Sequence, residues 1–90
     1  MRTIWKSVLK PHWEPQTVRM PVDSKIIHVR EQSGSVTMWY ECSEGVQQVD
    51  NFFLLIPTGG RVPDGRYLGT AHLLNGQIVA HVYALEKANQ

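Results

Sequence analysis

A single cysteine, Cys42, stands in ninety residues, so no internal disulfide can form. Small secreted domains usually staple themselves with several disulfides, and their lack favours a reducing compartment. Charge is sparse too: Asp, Glu, Lys and Arg make up 19% of the chain, and the formal net charge is +1. Lys and Arg nowhere form a run of three. A protein built to grip a phosphate backbone concentrates positive charge, so direct nucleic-acid binding is not expected. No window approaches the roughly 18 apolar residues of a membrane span. Met1 to Lys10 also lacks the continuous apolar stretch of a signal peptide. The expectation is a soluble, cytoplasmic protein without membrane contact. Repeats, low-complexity tracts and linkers are missing as well, so residues 1–90 read as one domain.

What is present is turn chemistry. With 42% hydrophobic residues the chain has the material for a core, though a thin one, since about 60% of the unfolded surface is buried at this length. Turn signals recur about every 8–12 residues, the spacing of an all-β sandwich or barrel. Thr3–Leu9 reads as a first strand, ended by Pro11 and Pro15, and Gln16–Met20 as a short second one before Pro21. Lys25–Glu31 and Ser35–Cys42 flank Ser33-Gly34, and a turn follows at Ser43-Glu44-Gly45. Val46–Ile56 contains the most apolar run, Phe52–Ile56, which reads as a strand buried on both faces. Pro57–Arg66 is a loop. Tyr67–Leu74 and Gln77–Tyr83 flank Asn75-Gly76, the favoured pair of a type I′ hairpin turn. The tail from Ala84 to Gln90 has helical propensity but is too short to hold a helix alone, and is expected to fray. The fold class is therefore all-β: a small antiparallel sandwich or barrel of about six to seven strands.

Two-residue hairpin loops fix register, and register fixes faces. Around Asn75-Gly76, one face collects Tyr67, Ala71, Leu73, Ile78, Ala80 and Val82, and the other Thr70, His72, Leu74, Val79, His81 and Tyr83. Around Ser33-Gly34, Ile27, Val29, Val36, Met38, Tyr40 and Cys42 form an apolar face. His28, Arg30, Thr37, Trp39 and Glu41 share the wetter one. Each hairpin separates into a core side and a solvent side.

Candidate sites follow from these faces. Trp39 beside His28, Arg30 and Glu41 has the composition of a protein-binding hot spot; the alternative is that a second sheet covers it and Trp39 is core. Trp13, between Pro11 and Pro15, is either a lid on the core or an exposed anchor. Gly59, Gly60, Arg61 and Arg66 belong to a glycine-rich stretch with two arginine forks, a composition suited to an anion. No helical pattern follows it, as the familiar phosphate loops require. The alternative is a loop whose glycines only turn the chain. His72 and His81 lie on diagonally neighbouring positions of the paired strands, about 7–8 Å apart between backbones, and complete the candidate ligand-binding set. Two imidazoles do not make a closed zinc site, so no metal or other cofactor is expected. Cys42 faces the core as an inert thiol. The eight carboxylates form no obvious pair, and no Ser or Thr occupies a nucleophile elbow, so no catalytic residue is assigned and enzymatic activity is not expected.

Several stretches carry a resemblance: Thr3-Ile4-Trp5-Lys6, Met20-Pro21, Ile27 to Val29, Gly34 and Met38-Trp39 in the first half. In the second half they are Thr58-Gly59, Val62-Pro63-Asp64-Gly65, Tyr67-Leu68-Gly69-Thr70, Gly76 and His81-Val82-Tyr83. Together they resemble a family of short proteins of unknown activity common in bacteriophage and prophage genomes. The chain departs from that pattern in a longer tail and in the short Cys42-Ser43-Glu44-Gly45 turn. The resemblance implies an accessory phage protein acting in the cytoplasm of the bacterial host, and transfers no catalytic or ligand residue. The leading expectation is a protein that docks on a host protein or complex and inhibits or redirects it, for example a CRISPR effector. A second is a small-ligand or nucleotide-sequestering protein, and a third is a virion structural or assembly protein. Self-association fits all three, because so small a β-domain has sheet edges to pair or guard.

Overall fold

Alternation and turn chemistry produce seven strands in the computed structural model, which describes residues 1–86. They are β1 (Arg2–Val8), β2 (Gln16–Pro21), β3 (Lys25–Gln32), β4 (Ser35–Ser43), β5 (Gln48–Pro57), β6 (Gly65–Leu73) and β7 (Ile78–Leu85). One sheet has the order β1-β4-β3 and the other β2-β5-β7-β6. Every pairing is antiparallel. The sheets stay separate and stack as a sandwich, without barrel closure among the described residues. The shortest molecular axis, 16 Å, fits two layers about 10 Å apart.

The core lies between the sheets. Val29, Val36, Met38, Tyr40 and Cys42 enter it from one sheet, and Phe53, Leu55, Ala71, Ala80 and Val82 from the other. Met38, Cys42, Ala80 and Val82 have no accessible surface. Gly69 sets the spacing where β6 meets β3: a Cβ there would stand 2.8 Å from the Val29 Cβ, so a side chain would force the sheets apart. Burial pushes the Cys42 thiol above its usual range, which keeps it protonated and unreactive.

Both hairpins pair in the expected register at their turn ends, with Val29 opposite Met38 and Ala71 opposite Ala80. Each then breaks phase at a bulge. In β3 the register shifts between Ile26 and His28, so Ile26, not Ile27, opposes Tyr40. Ile27 was expected on the core face; it is left out of the core and is 43% exposed. In β6 the shift falls between Tyr67 and Gly69. Tyr67, expected on the apolar face, turns outward against Tyr83, and Leu68 packs on the core instead. An extra residue on one strand reverses the alternation beyond it, which accounts for both corrections.

The turns differ as well. Ser33 and Gly34, at φ 52° and 83°, make a two-residue turn with Gln32 opposite Ser35. Asn75 and Gly76 take the positive φ that a type I′ turn needs, and the Gln77 N–H donates to the Leu74 carbonyl at 3.1 Å. Leu74 also takes positive φ, however, and Gln77 is helical in backbone angle, so the ladder closes one pair early at Leu73 and Ile78. β5 starts two residues later than expected and keeps Pro57 as its last residue. On its outward side Ile56 is buried, while Phe52 and Leu54 are only half-buried. Gly65 and Arg66, expected in the loop, begin β6, and Ala84 and Leu85, expected in the tail, end β7. The frayed tail otherwise falls on residues 87–90, outside the described residues.

β5 and β6 both pair with β7, so they run parallel to each other with β7 between them. The connection at residues 58–64 must therefore cross β7. It does so on the outward side: the Thr58 hydroxyl is 2.9 Å from His81 Nε2 at one end, and the Glu86 N–H donates to the Asp64 carbonyl at the other. The β1–β2 connection is pinned by the buried Gln16, whose Oε1 accepts from the Lys10 N–H at 2.7 Å while its Nε2 donates to the Lys10 carbonyl.

Candidate functional site

The outward face of the β1-β4-β3 sheet is built in three ranks, each crossing all three strands. Lys6, Trp39 and His28 form the middle rank. Ile4, Glu41 and Lys25 lie on one side of it, and Val8, Thr37 and Arg30 on the other. Trp39 is half-buried, its ring tilted against that of His28 with centroids 5.8 Å apart. The second sheet packs on the opposite face, so no strand among the described residues covers Trp39. Ile4 and Val8 are 56% and 57% exposed. Thr37, at the centre of its rank, is fully buried between its neighbours and donates its hydroxyl to the Ser35 carbonyl at 3.3 Å.

Cations outnumber carboxylates on this face: Arg2, Lys6, Lys25 and Arg30 stand with Glu41, and Asp23 joins at the margin through Arg2. Lys6 donates to Gln32 Oε1 at 2.7 Å. Arg2 is held at the margin by Asp23, at 2.9 Å, and reaches Glu41 at 3.8 Å. Asp23 also accepts from the Ser43 hydroxyl and from the Ser43 N–H at 3.1 Å. Those hydrogen bonds first, and the Arg2 charge after them, hold its carboxyl below the ordinary range.

Of the residues singled out from sequence, His28, Arg30, Trp39 and Glu41 share this face. Trp13 does not. It is 48% exposed at one end of the sandwich, over an apolar cleft of about 200 Å³ lined by Leu9, Val36, Leu55, Leu73 and Ala80 among others. Sequence reasoning missed Ile4, Lys6 and Val8, because the order Ile4-Trp5-Lys6-Ser7-Val8 has no clean alternation from which to assign a face.

The ligand-binding set is scattered. His81 is occupied on both ring nitrogens, by Thr58 at Nε2 and by Thr70 at Nδ1 (3.0 Å). Thr70 in turn meets the Tyr67 hydroxyl, so this sheet face binds itself together. His72 is exposed on the same face, in an open depression with Glu31, Gly34 and Leu74 to Gly76. Gly59, at φ 91°, and Gly60 close a turn in which the Gly60 N–H donates to the Pro57 carbonyl at 2.9 Å. Arg61 is exposed in the crossing loop. Arg66 pairs with Ala84 on the inward side and lines a different depression with Met20 and Phe53. No group of three or more His, Cys, Asp or Glu suited to a metal ion occurs among the described residues. No helix among them is long and apolar enough to cross a membrane.

Fold and face together define a class: a small all-β sandwich carrying one open sheet face. The chain belongs to the family described as a domain of unknown function, DUF7352, whose model matches residues 1–90. No curated protein and no solved structure matches it. The match supports membership of a family of unknown function and says nothing of a phage origin.

Proposed function

We propose that the protein is a non-enzymatic binding module that docks on a partner protein through the outward face of the β1-β4-β3 sheet. One observation carries this reading: Trp39 lies against His28 in the middle rank of a face left open by the rest of the sandwich. A Trp flanked by cations and exposed aliphatic side chains is the composition of an interface anchor. Four cations against two carboxylates, Glu41 and the marginal Asp23, suit an acidic protein surface with an apolar spot. In the bacteriophage setting that the resemblance implies, the partner is a host protein or complex in the bacterial cytoplasm. The protein would then act as an accessory, anti-defence factor that blocks or redirects it, with a CRISPR effector as one such target. Nucleotide sequestration has less support, because His81 is engaged on both nitrogens and Arg66 faces away from His72.

The test is affinity capture from bacterial lysate with the unmodified chain and with Trp39→Ala, alongside circular dichroism of both. The expected result is a folded variant that loses the captured partner by about 2 kcal/mol or more of affinity, roughly thirtyfold. A variant that unfolds would make Trp39 a stability residue and end the proposal. So would saturable binding of a single-stranded oligonucleotide with no captured protein.

A further inference from the structure

We propose that two copies of this chain associate through β1, antiparallel about a two-fold axis at Trp5, joining their three-stranded sheets into one of six strands. The inference is independent of the docking role argued above. It starts from how the four sheet edges differ. β3 and β6 each carry a bulge, and they lie against each other across the sandwich at Val29 and Gly69. β2 is the shortest strand, preceded by Pro15 and ending at Pro21. Bulges, prolines and short length are the devices that blunt an edge. β1 has seven residues, no proline and unbroken register from Arg2 opposite Ser43 to Val8 opposite Thr37; its edge charges, Arg2 and Lys6, are met by aliphatic partners in the register centred on Trp5.

The phase of the ladder identifies the free backbone groups. The Leu9 N–H donates to the Val36 carbonyl at 2.9 Å, and the Glu44 N–H to the Met1 carbonyl at 3.0 Å. Both pairs continue the β1–β4 register, and antiparallel ladders alternate bonded and non-bonded pairs. Thr3, Trp5 and Ser7 therefore bond to β4. Arg2, Ile4, Lys6 and Val8 turn their N–H and C=O groups to the open side.

A second copy satisfies these groups in one register better than in its neighbours. With the axis at Trp5, Ile4 opposes the partner's Lys6, Arg2 the partner's Val8, and Thr3 the partner's Ser7. Every outward donor then meets an outward acceptor, and no two cations are directly opposed. An axis at Ile4 sets Arg2 against the partner's Lys6, and an axis at Lys6 sets Lys6 against itself; like charges directly opposite are destabilising. At the Trp5 centre the two indoles form a close, non-hydrogen-bonded pair, the arrangement in which cross-strand aromatics interact best. Trp5 is 37% exposed in the single chain, so it has surface to contribute.

Sedimentation velocity of the full chain over a concentration series tests this, with three variants. The unmodified chain should sediment at twice the monomer mass, and its Ile4 and Lys6 amides should exchange slowly with solvent. Ile4→Pro removes a donor that faces outward, so it should leave a folded monomer. Trp5→Lys and Trp5→Glu should each be monomeric, because the axis sets each new charge against its own copy. Mixing them should restore a dimer containing one of each, an outcome specific to the Trp5 register. A monomeric unmodified chain, or a dimer indifferent to Trp5→Lys, would overturn the proposal. So would failure of the Lys and Glu variants to combine, which decides the matter even if Ile4→Pro does not fold.

Discussion

The two outward sheet faces carry similar residue types and use them in opposite ways. On the β2-β5-β7-β6 sheet, Tyr67, Thr70, His81 and Thr58 are hydrogen-bonded in series, Tyr83 stacks edge-on to Tyr67 at 5.6 Å, and the 58–64 connection crosses above. On the β1-β4-β3 sheet, Trp39 and His28 meet each other, and Ile4 and Val8 stand exposed beside them. Polar side chains that satisfy one another hold a connection in place. A face whose apolar groups are left uncovered has contact surface to offer. The difference predicts that mutations on one face will be read in stability and those on the other in binding.

The largest effect should be the loss of partner affinity in Trp39→Ala, with the melting temperature much less affected. The reverse pattern would make the two faces equivalent. Next are the turns beneath each face. Gly34 and Gly76 have φ 83° and 87° with open space around the missing Cβ. Valine at either should cost about 1–3 kcal/mol by thermal denaturation, through backbone strain alone. Equal losses would show that the hairpins are alike and only their faces differ. His81→Ala removes two hydroxyl contacts and should cost about 1–2 kcal/mol. Hydrogen exchange should speed up over residues 58–64 while partner capture is unchanged.

The smallest effect concerns Asp23. Its folded-state pKa lies below the unfolded value near 3.8, so its contribution to stability is present above that pH and fades as pH falls through the folded value. Asp23→Asn should lower melting slightly at neutral pH and flatten the acid limb below about pH 4, where the unmodified chain loses this contribution anyway. An acid limb identical to that of the unmodified chain would show that the Ser43 and Arg2 contacts do not discriminate the charged form.

Much of this was legible in the residues. The alternation of Val36, Met38, Tyr40 and Cys42, and of Ala71, Ala80 and Val82, assigned the core, because a tight turn carries phase from one strand to the next. The bulges at Ile27 and Leu68 were not legible: an inserted residue flips a face without altering composition. The outward position of Trp39 followed from register, but whether a second sheet covered it depended on strand order, which alternation does not encode. Likewise nothing in Thr58 or His81 announces that they meet, since their contact exists only because β7 separates β5 from β6.

That insertion bears on how the chain can be assembled during synthesis. Three strands, β1, β4 and β3, can pair as soon as residue 43 has left the ribosome. The other sheet cannot zip up in order, because β5 and β6 have no ladder between them until β7 arrives. Until then β5 can bond only to β2, and β6 has no sheet neighbour at all. The most apolar segment of the protein, Phe52 to Ile56, must therefore wait with one edge unpaired for a strand made some 25 residues later. Such long-range closure is slow, and the nascent chain is most exposed to aggregation or proteolysis during that interval.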